Sequence, residues 1–388
     1  MWLVKGHQNR CSVVFLLSLL ICQAANAQGP VLLPPPNSMP GDSIPFENQQ
    51  TPELESGNDF PSEPANTYWV VSSRRCRQNG SPGCVSGEFG YVFSGPDGQK
   101  EVRDAAAFQA TLRPDLPICV IVHGSFMEWA ELYDFAPKVQ RWIQSGQPLA
   151  RAQFVFFTWP SEDRNLNLGP IDLAPRGIQA SYNGIYLAHF LTQLPPQAPV
   201  SLVGHSHGTR VIAAALHMLG GGYVSRYRLA MQPQPRRIRT VFLAAALDRH
   251  WMMPNGRFEA ALPMMERMLN MVNRSDYSLQ LYPLRRPFSD VAIGHVGLGT
   301  SGSAYLGPYR DRYRDYDVTN FLGASHGWEA HVRHPQLAQV MANTVFFSEP
   351  VAIGQRINHY RPVPSRATPV HSQGWCGCSS DQEAQRKK

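Results

Sequence analysis

The sequence is poor in the features that mark repeat, membrane-spanning and metal-binding proteins. It has no internal repeat, which argues against a solenoid or a propeller. Its longest apolar stretch, residues 11–22, is too short to cross a bilayer of about 30 Å as a helix. No set of histidines and cysteines has the spacing of a zinc site, so we expect neither a metal nor another cofactor.

Lysine is also scarce, since only five of the 35 basic residues are lysine, and the formal net charge is +6. Most arginines alternate with acids, as in residues 309–315, and this pattern is typical of a solvated, self-paired surface. The arginines between residues 226 and 239 have no acid among them. They are the candidate for an anion or membrane patch, with a solubilising loop as the ordinary interpretation. We therefore expect no nucleic-acid partner.

The N-terminus has the pattern of an export signal. Lys5 and Arg10 precede the apolar stretch, and Ala25-Asn26-Ala27 follows it as a small-residue cleavage site. Residues 1–27 are therefore predicted to be a signal peptide, and the mature protein is expected in the periplasm, associated with the envelope, or secreted. A lipid anchor at Cys22 is the alternative.

Composition divides the remaining chain into three parts. Residues 28–66 are rich in proline and polar residues and predict a flexible spacer, and residues 351–388 predict a flexible basic tail. Residues 67–350 are long enough for one α/β domain. The sequence does not indicate an oligomeric state.

Five cysteines lie outside the signal. Cys76 and Cys84 are close enough to form a disulfide in an exported protein, whereas Cys119 is expected to be a buried thiol. Cys376 and Cys378, in the tail, are compatible with a metal site, a bond to each other or a link to a partner, and these alternatives stay open.

Short apolar strands alternate with helical patterns, which predicts an α/β fold with a mostly parallel sheet and helices on both of its faces. Strands are expected at residues 68–71, 89–93, 118–122, 154–157, 200–203 and 240–245. A helix rich in methionine is expected between residues 258 and 269, before a strand around Met271.

The pentapeptide Gly204–Gly208 fits the G-x-S-x-G pattern of a nucleophilic serine on a sharp turn. An apolar strand precedes it and a helical segment follows it, which is the context that such a turn requires. The glycines leave room around a serine whose Oγ is exposed. Ser206 is therefore the candidate nucleophile.

A serine hydroxyl needs a histidine base, and that base needs a carboxylate to orient it. His326 is the favoured base because it lies late in the chain, in a loop of small residues. His295 is the alternative, and His331 and His334 are expected to be exposed on the helix that follows.

The carboxylate must come between the serine and the histidine in the chain order of the α/β-hydrolase arrangement. Asp276 is favoured because it follows a late strand, and Asp248 is the alternative. Asp290 and Asp317 are interpreted as surface or capping residues.

The end of an earlier strand, His123-Gly124, is the position from which backbone N–H groups reach a developing oxyanion. The expected donors are the amide of Ser125 or Phe126 together with that of His207. The His123 side chain is expected to have a structural role.

These residues together resemble the α/β-hydrolase superfamily, and most closely a bacterial branch of serine hydrolases. The matching segments are Val122–Gly124, Thr158–Ser161, Gly204–Gly208, Asn273–Asp276 and Ser325–Gly327. The resemblance implies the fold and a Ser-His-Asp triad. We expect an exported hydrolase of a small-molecule or lipid ester. The alternatives are an acyltransferase or peptidase on the same triad, or a non-catalytic envelope protein on a hydrolase scaffold.

Overall fold

A computed structural model describes residues 67–76, 89–162, 170–230, 235–285 and 289–348, with the backbone alone for residues 170–174. Within these ranges one nine-stranded sheet runs through the domain in the order β3-β2-β1-β5-β4-β6-β7-β8-β9. The strands are β1 Tyr68–Ser72, β2 Gly90–Ser94, β3 Lys100–Arg103, β4 Ile118–Val122, β5 Gln153–Thr158, β6 Val200–His205, β7 Ile238–Leu243, β8 Arg267–Val272 and β9 Tyr313–Asp317.

Seven of these strands, β1 and β4 to β9, pair in parallel, and the two antiparallel pairs, β1 with β2 and β2 with β3, lie at one edge of the sheet. The helices in the described ranges are α1 Ala105–Thr111, α2 Trp129–Ser145, α3 Pro170–Gln193, α4 His207–Leu219, α5 Tyr277–Gln280, α6 Ile293–Val296, α7 Gly299–Ala304, α8 Thr319–Leu322, α9 Trp328–Val332 and α10 Pro335–Val345. The predicted α/β class is confirmed.

The central strands β4, β6 and β7 are buried at every position because helices cover both faces of the sheet. On β4, the side chain of Val120 packs into the core beneath α3 and α4. Its neighbour Ile121 points the opposite way, into the core beneath α2, α9 and α10. The carboxyl ends of the parallel strands therefore meet along one edge, and the candidate site residues follow those ends.

The methionine-rich helix was predicted wrongly. The segment before β8 forms turns and a short 3-10 helix, Leu262–Met264, and the strand itself already begins at Arg267. Pro254, Gly256 and Pro263 interrupt any helix there, because proline lacks the N–H donor and glycine is a poor helix former. The apolar spacing nevertheless had the helical period.

The arginine and acid run at residues 309–315 is not only a solvated surface. It forms a 3-10 helix, Gly307–Arg312, and the edge strand β9. The guanidinium of Arg312 donates to the carbonyls of Pro263 and Met265 at 3.1 and 2.9 Å, and the Asp315 carboxylate accepts from Asn270.

The arginine run before β7 is partly paired. Arg239 is 1% exposed, and both Arg237 and Arg239 bind the carboxylate of Glu266. These two ion pairs therefore link the start of β7 to Glu266, the residue before β8. Because both guanidiniums are paired with this carboxylate, they do not form a surface patch for anions.

The signal peptide, the spacer and the tail predicted at residues 1–27, 28–66 and 351–388 lie outside the described residues. Cys76 is disulfide-bonded and Cys119 is a buried free thiol. Cys84 is not among the described residues, so its pairing with Cys76 stays a prediction. Of the helices described, none is both long and apolar enough to cross a membrane.

Candidate active site

Ser206 lies on the turn between β6 and α4, where β6 ends at His205 and α4 begins at His207. Its backbone has φ +51° and ψ −124°, a conformation that non-glycine residues rarely adopt and that stores strain at functional turns. A Cβ at Gly208 would lie 2.3 Å from the carbonyl oxygen of Val122, and one at Gly204 would lie 2.7 Å from the side chain of Ile212. Only glycine at both positions allows this turn to pack.

His326 and Asp276 complete a continuous hydrogen-bonded chain with Ser206. Nε2 of His326 lies 3.0 Å from the Ser206 Oγ, and Nδ1 of the same ring lies 2.8 Å from Oδ2 of Asp276. The structure therefore brings together three side chains that are 120 and 50 residues apart in sequence.

Asp276 is fully buried at the N-terminus of α5. Its second oxygen, Oδ1, accepts the N–H of Leu279 at 3.0 Å. Both carboxylate oxygens are thus engaged, and the side chain has no freedom to turn away from His326.

Two residues that the sequence did not identify as functional hold the loop of His326. The side-chain amide of Asn273 donates to the carbonyls of Gly323 and Ser325 at 3.0 and 3.1 Å. Nε2 of His205 lies 2.7 Å from the carbonyl of His326 itself. Both residues belong to the motifs that contain the serine and the aspartate, so their positions in those motifs were the available signal.

His205 acts as a neutral hydrogen-bond donor. Burial, followed by the neighbouring His326 and His331, lowers its pKa well below the usual histidine value. Its ring packs against that of Trp328 with centroids 5.1 Å apart. His331, predicted to be exposed, is instead 0% exposed, because the short helix α9 turns it inward against His205, and His334 is half-buried.

The predicted oxyanion donors differ in availability. The N–H of Phe126 donates to the carbonyl of Ser161 at 2.6 Å, so the prediction of Phe126 as a donor is wrong in this structure. The amides of Ser125 and His207 make no hydrogen bond to any described residue. The hydroxyl of Ser125 lies 2.8 Å from Nδ1 of His207, which ties the two loops together.

His123 supports these loops without facing the serine. Its Nδ1 lies 2.8 Å from the carbonyl of Gly124 and its Nε2 lies 2.8 Å from the hydroxyl of Thr158. Its ring stacks on Trp159, with centroids 5.7 Å apart and planes 5° apart. Burial lowers the pKa of His123 to about 3, so the ring is neutral.

The alternative acid and base are engaged elsewhere. Asp248 is 2% exposed, forms an ion pair with Arg285 and accepts the hydroxyl of Tyr282 at 2.8 Å. His295 lies 3.1 Å, through Nδ1, from the carbonyl of Asn273. Neither contacts Ser206 or His326. The described part of the chain contains no group of three or more His, Cys, Asp or Glu side chains arranged to hold a metal ion.

No protein-family model matches this sequence. No curated protein matches it either. Among solved structures it is similar to carboxyl esterase 2 from the fungus Tuber melanosporum, with 14% identity, a TM-score of 0.37, and coverage of 75% of this chain and 90% of that one.

It is also similar to the catalytic core of acetyl xylan esterase from Trichoderma reesei, with 12% identity, a TM-score of 0.31, and coverage of 59% of this chain and 98% of that one. For esterase B from Lactobacillus rhamnosis the identity is 12%, the TM-score is 0.35, and the coverage is 73% and 87%. Likeness at this level carries no information on the reaction, so the chemistry follows from the atoms of the site itself.

Proposed function

We propose that this protein is a serine hydrolase that cleaves carboxylic esters through an acyl-enzyme on Ser206. The observation that supports the proposal best is the hydrogen-bonded chain from the Ser206 Oγ through His326 to Asp276. A nucleophile, a base and an orienting carboxylate in contact are the parts that acyl transfer requires.

In the first half of the reaction, Nε2 of His326 takes the proton of the Ser206 hydroxyl while Oγ attacks the ester carbonyl. The tetrahedral oxyanion accepts hydrogen bonds from the amides of His207 and Ser125. When the intermediate collapses, the carbon–oxygen bond to the alcohol breaks. His326 returns the proton to the departing alkoxide, and the acyl group stays on Ser206.

The second half repeats these steps with water in place of the serine. His326 takes a proton from water as the hydroxide attacks the acyl carbonyl, and it then protonates Oγ as the carboxylic acid leaves. Asp276 keeps its negative charge throughout. It holds the proton of His326 on Nδ1, so that Nε2 is free to accept, and it stabilises the imidazolium that forms in each half.

We also propose that the enzyme acts outside the cytoplasm. The disulfide at Cys76 supports this location, because structural disulfides persist mainly in oxidising compartments. The N-terminal signal pattern is the second support.

The test compares turnover of 4-nitrophenyl esters, from acetate to octanoate, by the wild-type chain and by Ser206→Ala. Removal of the nucleophile is expected to lower kcat by at least about 10³-fold, because only the binding site and the oxyanion donors remain. Ser278→Ala is the matched control, since it removes an exposed hydroxyl outside the site. Turnover by Ser206→Ala at the wild-type rate would overturn the proposal.

A further inference from the structure

Arg210 is a buried charge one helical turn beyond the nucleophile. The residue is 3% exposed, and its Nε donates to the hydroxyl of Ser181 at 2.7 Å. No carboxylate of the described residues pairs with it. A buried guanidinium without a counter-charge is rare, because removing it from water is costly unless it is paired.

The surrounding residues pack against the side chain of Arg210 and fix its position. A Cβ on Gly177 of α3 would lie 2.2 Å from Nη1 of Arg210, so the guanidinium packs directly against the helix backbone at a glycine. On another side it stacks over the ring of Trp251, 4.6 Å from the ring centroid. The side chain is therefore fixed in place while its Nη nitrogens have no acceptor among the described residues.

The charge balance around Arg210 is positive. Burial, and next the nearby Arg257, lower its pKa to about 9, which leaves it protonated at neutral pH. Asp248, the acid whose charge acts on Arg210, forms an ion pair with Arg285 and accepts a hydrogen bond from Tyr282. The described residues therefore supply no free anion to balance the charge of Arg210.

His207 adds a second unsatisfied group on the same face of α4, three residues before Arg210. Its Nδ1 faces the Ser125 hydroxyl, and its Nε2 is buried with no hydrogen-bond partner in the described structure. Burial, and next the charge of Arg210, lower the pKa of His207 to about 3, so the ring is neutral. In the tautomer whose Nδ1 accepts the Ser125 hydroxyl, the ring proton lies on Nε2, and Nε2 is then a second free donor.

We propose that Arg210 and Nε2–H of His207 form a subsite for an anionic oxygen group of the substrate, a carboxylate or a phosphate, next to Ser206. A planar guanidinium matches the two oxygens of such a group. This inference rests on the proposed ester hydrolysis and names its substrate class, which is an ester with a negative charge on its acyl or its alcohol part.

The test uses pairs of 4-nitrophenyl esters, the hemiglutarate against the neutral hexanoate, and phosphate-bearing against neutral acyl chains. A third pair carries the charge on the alcohol part, 4-butyryloxybenzoate against its methyl ester. The readout is the ratio of kcat/KM for the anionic ester to that for its neutral partner. The wild-type enzyme is expected to prefer the anionic ester in at least one of the three pairs. The anionic group of that ester, carboxylate or phosphate, is then the group that the subsite binds.

Arg210→Met is expected to lower that ratio at least tenfold. Gly177→Ala serves as a second variant, because its Cβ displaces the guanidinium while the arginine remains, and it is expected to lower the same ratio. Arg226→Met is the matched control, since it removes an exposed arginine and is expected to leave the ratio unchanged.

The outcomes separate the two proposals. One outcome would overturn the anion subsite alone. In it, neutral esters are turned over in a Ser206-dependent way, but neither Arg210→Met nor Gly177→Ala changes the ratio. Absence of any Ser206-dependent turnover would overturn the ester hydrolysis on which the subsite rests. A loss of ratio in both variants, with the Arg226→Met ratio unchanged, supports the subsite.

Discussion

Asp276→Asn tests the role of the carboxylate, because the substitution keeps the side-chain shape and removes its charge. Oδ1 of Asp276 accepts the N–H of Leu279, and Oδ2 faces Nδ1 of His326. In the variant, the amide carbonyl stays on the N–H of Leu279, since the reverse orientation would set two donors against each other in a fully buried site. The NH₂ group then faces Nδ1 and forces the ring proton onto Nε2, the nitrogen that must accept from Ser206.

The magnitude follows from the cost of reversing the amide. Reversal loses one hydrogen bond and leaves a buried N–H without an acceptor, which together cost about 2–4 kcal/mol. Because about 1.36 kcal/mol is a factor of ten in rate, the wrong tautomer alone lowers kcat by roughly 30- to 1,000-fold. Loss of the charge that stabilises the imidazolium adds to this, and the comparable change in serine proteases costs about 10⁴-fold. We expect a total loss of about 10³- to 10⁴-fold.

The assay measures kcat on 4-nitrophenyl butyrate and the rate of labelling by a fluorophosphonate, which reports the reactivity of the serine without turnover. Both are expected to fall in Asp276→Asn. The matched control is Asp317→Asn, which neutralises an exposed carboxylate paired with Arg274 and is expected to keep wild-type rates. If Asp276→Asn were correctly folded by its melting temperature and retained kcat within about tenfold of wild type, this reasoning would be refuted.

Three further predictions follow from the surroundings of the site. His123 and His331 are neutral in the fold because burial lowers their pKa to about 3 and about 4. Below about pH 6.5 the unfolded chain binds these protons and the folded chain does not, so the free energy of unfolding should fall as the pH drops from about 6.5 towards 4. The fall is up to about 1.4 kcal/mol per pH unit for each histidine, and it is measured as a lower melting temperature. A melting temperature that does not change over this pH range would contradict the prediction. Gly208→Ala sets a Cβ 2.3 Å from a carbonyl oxygen of β4 and should cost about 1–3 kcal/mol in thermal unfolding, whereas Gly90→Ala, with its nearest atom at 3.6 Å, should unfold like wild type. His205→Phe removes the donor to the backbone of the base and should lower kcat roughly 10- to 100-fold with little change in KM; equal kcat would show that this contact does not position the base.

The elements around the elbow could be predicted because their sequence patterns are local. The runs at residues 118–122 and 200–203 are apolar apart from Ser201, as is typical of strands buried on both faces, and β4 and β6 form there. β9 was not predicted because Tyr313–Asp317 is an edge strand with charged and half-buried positions. Such a strand lacks the apolar run that identifies the central ones.

In the site, Ser206, Asp276 and His326 could be selected from chain order and motif context, and the structure brings them into contact. What depends on distant packing was not predictable. The Phe126 amide donates to the carbonyl of Ser161, which belongs to a separate loop 35 residues further along the chain.

Arg210 had an overlooked sequence signal, since it is the one charged residue in the apolar run of residues 209–216. A charge on an otherwise buried helix needs a partner, and the absence of an acid nearby in sequence pointed towards an external one. Its seat against Gly177 and Trp251 required the fold to bring α3 and the loop after β7 together.

The most direct measurement is the mass of the protein after reaction with a fluorophosphonate, followed by mapping of the adduct. One adduct on the peptide that contains Ser206, and none in Ser206→Ala, is the predicted result. Modification at a different residue, or equal labelling of Ser206→Ala, would contradict the assignment of Ser206 as the nucleophile.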